Sequence, residues 1–520
     1  MRQARVLYHL MRADFLERVR RYSFLVTLAL ATWLGWAVST GKIKLWISDI
    51  RGIYNSAWVG VLMAMVVNFF IALAGFYVVK NSIERDRRTG VGQILATTPL
   101  SKPLYTLGKA LSNLAVLLAM VAVLAVMAVV AQFVVGEDTH VQLGPLLAPI
   151  LVFCVPAMAL VAAFAVLFET IPFLKGGFGN VVWFFAYVSV IPLAIKGHQD
   201  PLGMGPVTSS LFAAVKRVFG ITTTSFVLGG IDREANARTF RWEGMDWTGE
   251  ILLGRLAWLA LAVGVTLVAA LLFDRFDTSR SWAPSRGRQK AGGADNGLVP
   301  ALAAEAAPIP VHLHPLPAGS RRFRFFDLLR AELRLLLKGQ RWWWYMVAAG
   351  LIIAGFAVPE EGRKIVLPLA WMWPILLWSP MGNREARFAT DGLVFSAAWP
   401  LQRQLPATWL AGVLLALVTG GGVGLRLALT GHWAGLGAWL VGALFIPTFA
   451  LALGVWSGSG KLFEAVYLFL WYIGPLNQTR PLDFMGVVPA AVKAGVPLAW
   501  LAATVALGVA GVVGRRRQVG

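Results

Sequence analysis

Long apolar stretches separated by short polar ones run the length of this chain. They lie at about 23–39, 57–79, 107–135, 145–170, 178–195 and 250–273, and again at about 342–358, 365–381, 406–429, 433–456, 461–475 and 486–513. Roughly 20 apolar residues in a helix cross a bilayer core, with some latitude for tilt. The pattern therefore predicts an all-α polytopic membrane protein of about twelve transmembrane helices. The third stretch is long enough to predict a helix projecting past the headgroups. An amphipathic segment over residues 1–22, with Arg2, Arg5, Arg12 and Arg18 set among Val6, Leu10, Phe15 and Leu16, predicts a helix lying along the membrane surface.

The order of elements occurs twice. Leu328-Leu329-Arg330-Ala331-Glu332 repeats Leu10-Met11-Arg12-Ala13-Asp14, and each copy precedes a set of six apolar stretches. Between the second and third stretch of each set stands a charged, amphipathic connector. The first runs from Glu84 to Pro99 (ERDRRTGVGQILATTP) and the second from Glu385 to Pro400 (EARFATDGLVFSAAWP), 301 residues later at both ends. Ionised side chains cost about 2.5–3.5 kcal/mol at a bilayer centre even on a lenient scale, so the connectors belong in water or against a soluble partner. The expectation is two homologous six-helix halves in parallel orientation, residues 1–280 and 321–520, each opened by an amphipathic interfacial helix. Between them, 281–320 is rich in Ala, Pro and Gly and reads as a cytoplasmic linker.

Composition agrees with a membrane protein. Of 520 residues 58% are hydrophobic and only 14% charged, where a soluble chain carries about 25% charge. The net charge of +21 sits beside the apolar stretches, which is an orientation signal and not a nucleic-acid footprint. Lys80, Arg85, Arg87, Arg88, Lys102 and Lys109 around the first connector, Lys175, and Arg515-Arg516-Arg517 place both termini and both connectors in the cytoplasm; Glu137, Asp138 and the mixed-charge segment 196–249 fall outside. The first stretch has no cleavage site after its long basic lead and reads as a retained anchor. The single cysteine, Cys154, forbids an intrachain disulfide and reads as a small apolar residue.

Catalytic chemistry is scarce. The nearest string to a phosphate loop, Gly458-Ser459-Gly460-Lys461, continues with Leu462 and has Val455 where the first glycine should stand. H-E-x-x-H and G-x-S-x-G are absent, and the six histidines form no cluster; His312 and His314 lack acidic or thiol companions. No catalytic, cofactor or metal residues are expected. Glu169, Arg426, Glu464 and Lys493 fall near the ends of apolar stretches and read as snorkelling side chains, which argues against an ion-coupled carrier with a midplane relay. Trp342-Trp343-Trp344-Tyr345 reads as an interfacial anchor.

The string ERDRRTG, the small apolar run ILATTP, and then Leu100-Ser101-Lys102 and Gly108-Lys109 opening the next span resemble the permease subunits of ABC-2 type ABC transporters. The resemblance covers residues 1 to about 275 well and the second half in outline. It implies a membrane-spanning exporter subunit, six spans per half, and separately encoded ABC ATPase subunits, two of them, that push on coupling helices. On that resemblance Glu84 is the carboxylate meeting the ATPase, Arg85, Arg87 and Arg88 supply complementary charge, Gly90 a turn, Ile94 and Leu95 an apolar plug, and Pro99 the stop. The second copy, with Glu385, Arg387, Gly392 and Pro400, departs from the pattern: Phe388 and Ala389 stand where Arg87 and Arg88 did. A secondary carrier of the major-facilitator kind also has two six-helix halves, but that superfamily has a glycine where Ser82 stands four residues before Asp86. A non-transporting membrane scaffold is the remaining alternative. Nothing in the chain selects a transported substrate.

Overall fold

The computed structural model describes residues 2–20, 22–138, 140–195, 200–229, 238–276, 324–397 and 399–519. The 281–320 linker, with His312 and His314, and part of the 196–249 segment lie outside them.

The chain opens with α1 (Arg2–Val19) and α2 (Tyr22–Ser39), then the short strands β1 (Lys44–Trp46) and β2 (Ile50–Gly52). Asn55 caps α3 (Ser56–Val66) by accepting from the Trp58 N–H, and after a π turn over Val67–Ile71 the same span continues as α4 (Ala72–Val79). The first connector is two short helices, α5 (Ser82–Arg88) and α6 (Val91–Thr97). Next comes α7 (Lys102–Val135), a 34-residue helix and so about 51 Å long at 1.5 Å per residue, enough to project past the headgroups. α8 (Leu143–Pro149), a π turn and α9 (Val155–Thr170) return, followed by α10 (Gly177–Ile195), α11 (Met204–Phe219), β3 (Val227–Gly229), β4 (Arg238–Phe240) and α12 (Gly249–Leu272).

The second part begins with the amphipathic α13 (Phe325–Leu337) and continues through α14 (Trp342–Ala357), α15 (Glu360–Met372) and α16 (Ile375–Trp378). α17 (Arg384–Arg387) and α18 (Asp391–Phe395) form the second connector. α19 (Pro400–Thr419) and α20 (Gly421–Leu429) meet at a 65° bend. α21 (Trp433–Ser457), α22 (Gly460–Trp471), the short α23 (Pro489–Lys493) and α24 (Val496–Val519) complete it.

Seven of these helical segments are long and apolar enough to cross a membrane, or eight if the bent pair α19–α20 is one span; this is the pattern of a helical multi-pass membrane protein. Twelve full-length crossings are not found among the described residues. The apolar stretches are largely helical, but α14 has 16 residues and α22 with its π-helical continuation Tyr472–Leu476 has 17, or about 24 and 25 Å against a ~30 Å core. Nor is the chain wholly helical. β1 pairs antiparallel with β3 and β2 parallel with β4. These ribbons gather the loops at the end of the helices away from the connectors, where Arg51 grips Glu137 through paired hydrogen bonds of 2.9 and 2.7 Å and holds its carboxyl below the usual range.

Two large hydrophobic cores form among the described residues, with two smaller clusters beside them. One is built from residues between Phe24 and Trp242 around the fully buried α3, the other from residues between Leu329 and Val487 joined by Phe184. α1 packs on the start of α7, where Gly108 admits Leu10; a Cβ there would lie 2.1 Å from the Leu10 side chain.

Candidate functional site

The first connector is held from below by a residue that reads as interfacial in the sequence. α4 ends at Lys80, Asn81 takes a left-handed turn (φ 83°), and α5 follows with only seven residues. A helix leaves its first N–H groups without partners. Here Glu169, at the end of α9, supplies them: Oε1 accepts from Asn81 N at 2.7 Å and Ser82 N at 2.8 Å, and Oε2 from Ile83 N at 2.7 Å and Glu84 N at 3.1 Å. The carboxylate also complements the positive end of the helix dipole. Glu169 is 3% exposed, so it caps and does not snorkel. Glu464 is likewise buried, whereas Arg426 reaches the carbonyls of Phe356 and Val358, and Lys493 is exposed, as interfacial side chains do. Glu169→Ala orphans four amides, of which those of Ser82 and Ile83 are buried and cost about 1–3 kcal/mol for each unsatisfied group. Hydrogen exchange at residues 81–84 is expected to lose its protection while α9 keeps its own, with Glu169→Gln intermediate; unchanged exchange would refute the cap.

Above the cap lies a buried charge cluster. Arg85 turns inward to α1, meeting Asp14 at 3.0 Å and Glu17, so it is not an outward complementary charge. Lys109 of α7 stands between Asp14 (2.7 Å) and Asp86 (2.6 Å), and the Tyr105 hydroxyl donates to Asp86 at 2.8 Å. Outward, Arg88 bonds Glu84 at 3.1 Å within α5, and Arg87 reaches Asp274 at 2.8 Å beyond α12. Gly90 has φ +75°, the left-handed turn that separates α5 from α6 and that glycine adopts without strain. The expected apolar plug divides. Ile94 is 68% exposed beside the exposed Val91, while Leu95 packs inward toward Ile83, Tyr105 and Phe273. Pro99 lies exposed between α6 and α7. A groove of about 630 Å³ opens here between residues 96–99 and 274–276, floored by Lys102.

The second connector uses the same clamp in another register. Arg384 meets Glu332 of α13 at 2.9 Å, as Arg85 meets Asp14 of α1. Gln404 donates to Glu385 at 2.8 Å, as Tyr105 donates to Asp86. Ala389, with φ +51°, stands where Gly90 does. Arg384, Glu385, Ala389 and Gln404 each stand 299 residues after Arg85, Asp86, Gly90 and Tyr105, so contacts align Glu385 with Asp86, and the 301-residue register that aligns it with Glu84 is corrected. Glu385 is 7% exposed and gripped by both Nη atoms of Arg515 at 3.3 Å; it is no outward carboxylate. The place of Glu84 falls to the buried Asn383. Arg387 is exposed over Phe388, Gly392 lies within α18 and does not make the turn, and Pro400 is the first residue of α19. Phe388, Leu393 and Trp399 are 65%, 78% and 62% exposed.

The structural members that sequence reasoning passed over are Asp14, Asp86, Glu169 and Arg515. Glu169 stands out as the one charge on an apolar helix, whereas Asp86 and Arg515 sit in charged runs, SIERDRR and GRRRQV, and acquire meaning only with their partners. Compared with known proteins, the sequence matches no family model and has no significant match among curated proteins.

Proposed function

We propose that the chain is the membrane-spanning subunit of an ATP-driven exporter, similar to ABC-2 permeases, coupled to two separately encoded ATPase subunits that dock on the connectors. On this reading the twelve apolar helical segments form two six-helix halves, residues 1–280 and 321–520, with the linker, both connectors and both termini on the cytoplasmic side of the cell membrane. The observation that carries it is the recurrence of one clamp. In each part an acid on an amphipathic helix pairs with a connector arginine, and the next connector residue, an acid, is held by the following span. Rigidly clamped short helices with exposed apolar tips, Val91 and Ile94 in one and Phe388 and Leu393 in the other, suit a lever pushed by a soluble protein. Exposed clusters of large apolar residues on a water-facing segment mark interaction sites.

Tagged protein is expected to co-purify with a P-loop ATPase. Ile94→Glu, which puts a charge where an apolar contact is needed, is expected to lower the recovered ATPase by tenfold or more while leaving membrane insertion unchanged, because desolvating an unpaired charge costs several kcal/mol. Unaltered recovery with Ile94→Glu and Glu84→Lys together would end the docking proposal. Transport by the purified chain alone, driven by an ion gradient without nucleotide, would favour the secondary-carrier alternative.

A further inference from the structure

The two cores meet along one seam, where α4 and α10 face α22. Aromatic pairs fill its middle: Phe70 with Phe469 at 6.0 Å, Phe184 with Tyr472 at 5.9 Å and Phe185 with Trp471 at 5.9 Å. The end of the seam nearest the connectors is different in kind. Lys80, 3% exposed, donates to the carbonyls of Leu174 (2.9 Å) and Gly176 (3.0 Å) and to Asn180 Oδ1 (2.8 Å). Asn180 passes the chain across the seam by donating to Glu464, whose other oxygen accepts from Ser379. Lys461 crosses in the opposite direction and donates to the carbonyl of Lys80 itself, and to that of Tyr77 at 3.4 Å. Two glycines make the approach possible. A Cβ at Gly177 would lie 2.5 Å from Glu464 Oε1, and one at Gly179 would lie 2.8 Å from Lys80 Nζ.

We propose that Lys80, Asn180, Ser379, Lys461 and Glu464 form a latch that closes the seam at its connector end and is opened by movement of the first connector. The mechanical argument is the chain path. Lys80 ends α4, Asn81 makes the left-handed turn, and α5 begins at Ser82 on the Glu169 cap. A force that displaces α5 reaches the latch across one residue. Apolar helix contacts along a seam slide at little cost, whereas hydrogen bonds to buried charges break discretely, which gives the closed state a defined geometry. This rests on the reading of the connectors as levers, but the latch itself is a property of the chain alone.

The test uses full-length protein in lipid nanodiscs, with Cys154→Ala to remove the native thiol and Ala465→Cys as a reporter beside Glu464. Labelling by a hydrophilic maleimide is expected to be slow with the latch intact. It should speed up about tenfold or more in Asn180→Ala and in Ser379→Ala, since a hydrogen bond to a charged group is worth more than one decade in an equilibrium constant. A second reporter, Ala443→Cys in the core of α21, should stay unlabelled. Unchanged labelling at position 465 in both variants, or equal acceleration at 443 and 465, would overturn the latch, the latter because it reports general loosening. Because no ATPase is present, failure here leaves docking to be judged by co-purification, and failure of docking leaves the latch standing.

Discussion

Glu385→Ala is expected to destabilise the protein by about 3–5 kcal/mol, the cost of removing one partner from a buried ion pair. The side chains of Glu385 and Arg515 are 9% and 5% exposed, so deletion of the carboxylate leaves a guanidinium with little water. Among the described residues Arg515 keeps Gln518 at 3.1 Å and the face of Phe395; Gln404 loses its acceptor as well. Glu84→Ala is a different experiment despite the likeness of the two strings. Glu84 is 32% exposed in its side chain and pairs within its own helix with Arg87 and Arg88, contacts worth a few tenths of a kcal/mol. Thermal unfolding in detergent should therefore show a large drop for Glu385→Ala and almost none for Glu84→Ala. A double-mutant cycle with Arg515→Ala should recover part of the loss, because the orphaned charge is then gone. Equal melting temperatures for the two single variants would refute the inward assignment of Glu385. The C-terminal basic run is thereby split in function: Arg515 turns into the protein, while Arg516 and Arg517 stay exposed.

Much of this architecture is readable from period and length. The apolar stretches of the first part are helical within a few residues of their expected bounds, whereas those expected at 365–381 and 486–513 are each broken into two helices; α7 is the overlong helix its composition announces, and both connectors are pairs of short helices between spans. What was not readable depends on partners far away in sequence. Matching Glu84 to Glu385 by letter ignores what each touches; the contacts of Asp14 and Glu332, one on each amphipathic helix, move the register by two residues. Glu169 and Glu464 lie near span ends, and position alone suggests an interface, yet four backbone amides more than 80 residues away claim the first and Asn180 and Ser379 the second. Span lengths in the second part were blurred by breakers inside apolar runs. Pro374 separates α15 from α16, and Gly420 begins the bend between α19 and α20. The paired strands escape notice for another reason. Three-residue strands carry no period of their own, and β1 pairs with a strand far away in sequence, Lys44 opposite Gly229.

Lys109→Met is expected to cost a similar ~3–5 kcal/mol, through the same physics with the charges reversed. The ammonium is 2% exposed in its side chain and lies within 2.7 Å of both Asp14 and Asp86. Removing it leaves the half-buried Asp14 and the buried Asp86 carboxylates close together, the first still facing Arg85 and the second accepting from the Tyr105 hydroxyl. Like charges drawn together in a poorly solvated site repel strongly, so α1 and α5 should separate. The readout is hydrogen exchange, with protection lost in Arg2–Val19 and Ser82–Arg88 together and retained in α3. Asp86→Asn in the Lys109→Met background removes one of the two negative charges and should restore a good part of the stability, which simple loss of packing volume would not allow. The second part solves the same problem with a cation from elsewhere. Thr408, 299 residues after Lys109, bonds Glu332 without charge, and the positive partner of Glu385 arrives from α24 as Arg515. The first connector thus takes its cation from the span that follows it, and the second takes its own from α24. Lys109→Met should loosen the first connector and leave exchange at Arg384–Arg387 unchanged; coupled loss at both would mean that the two clamps are one cooperative unit.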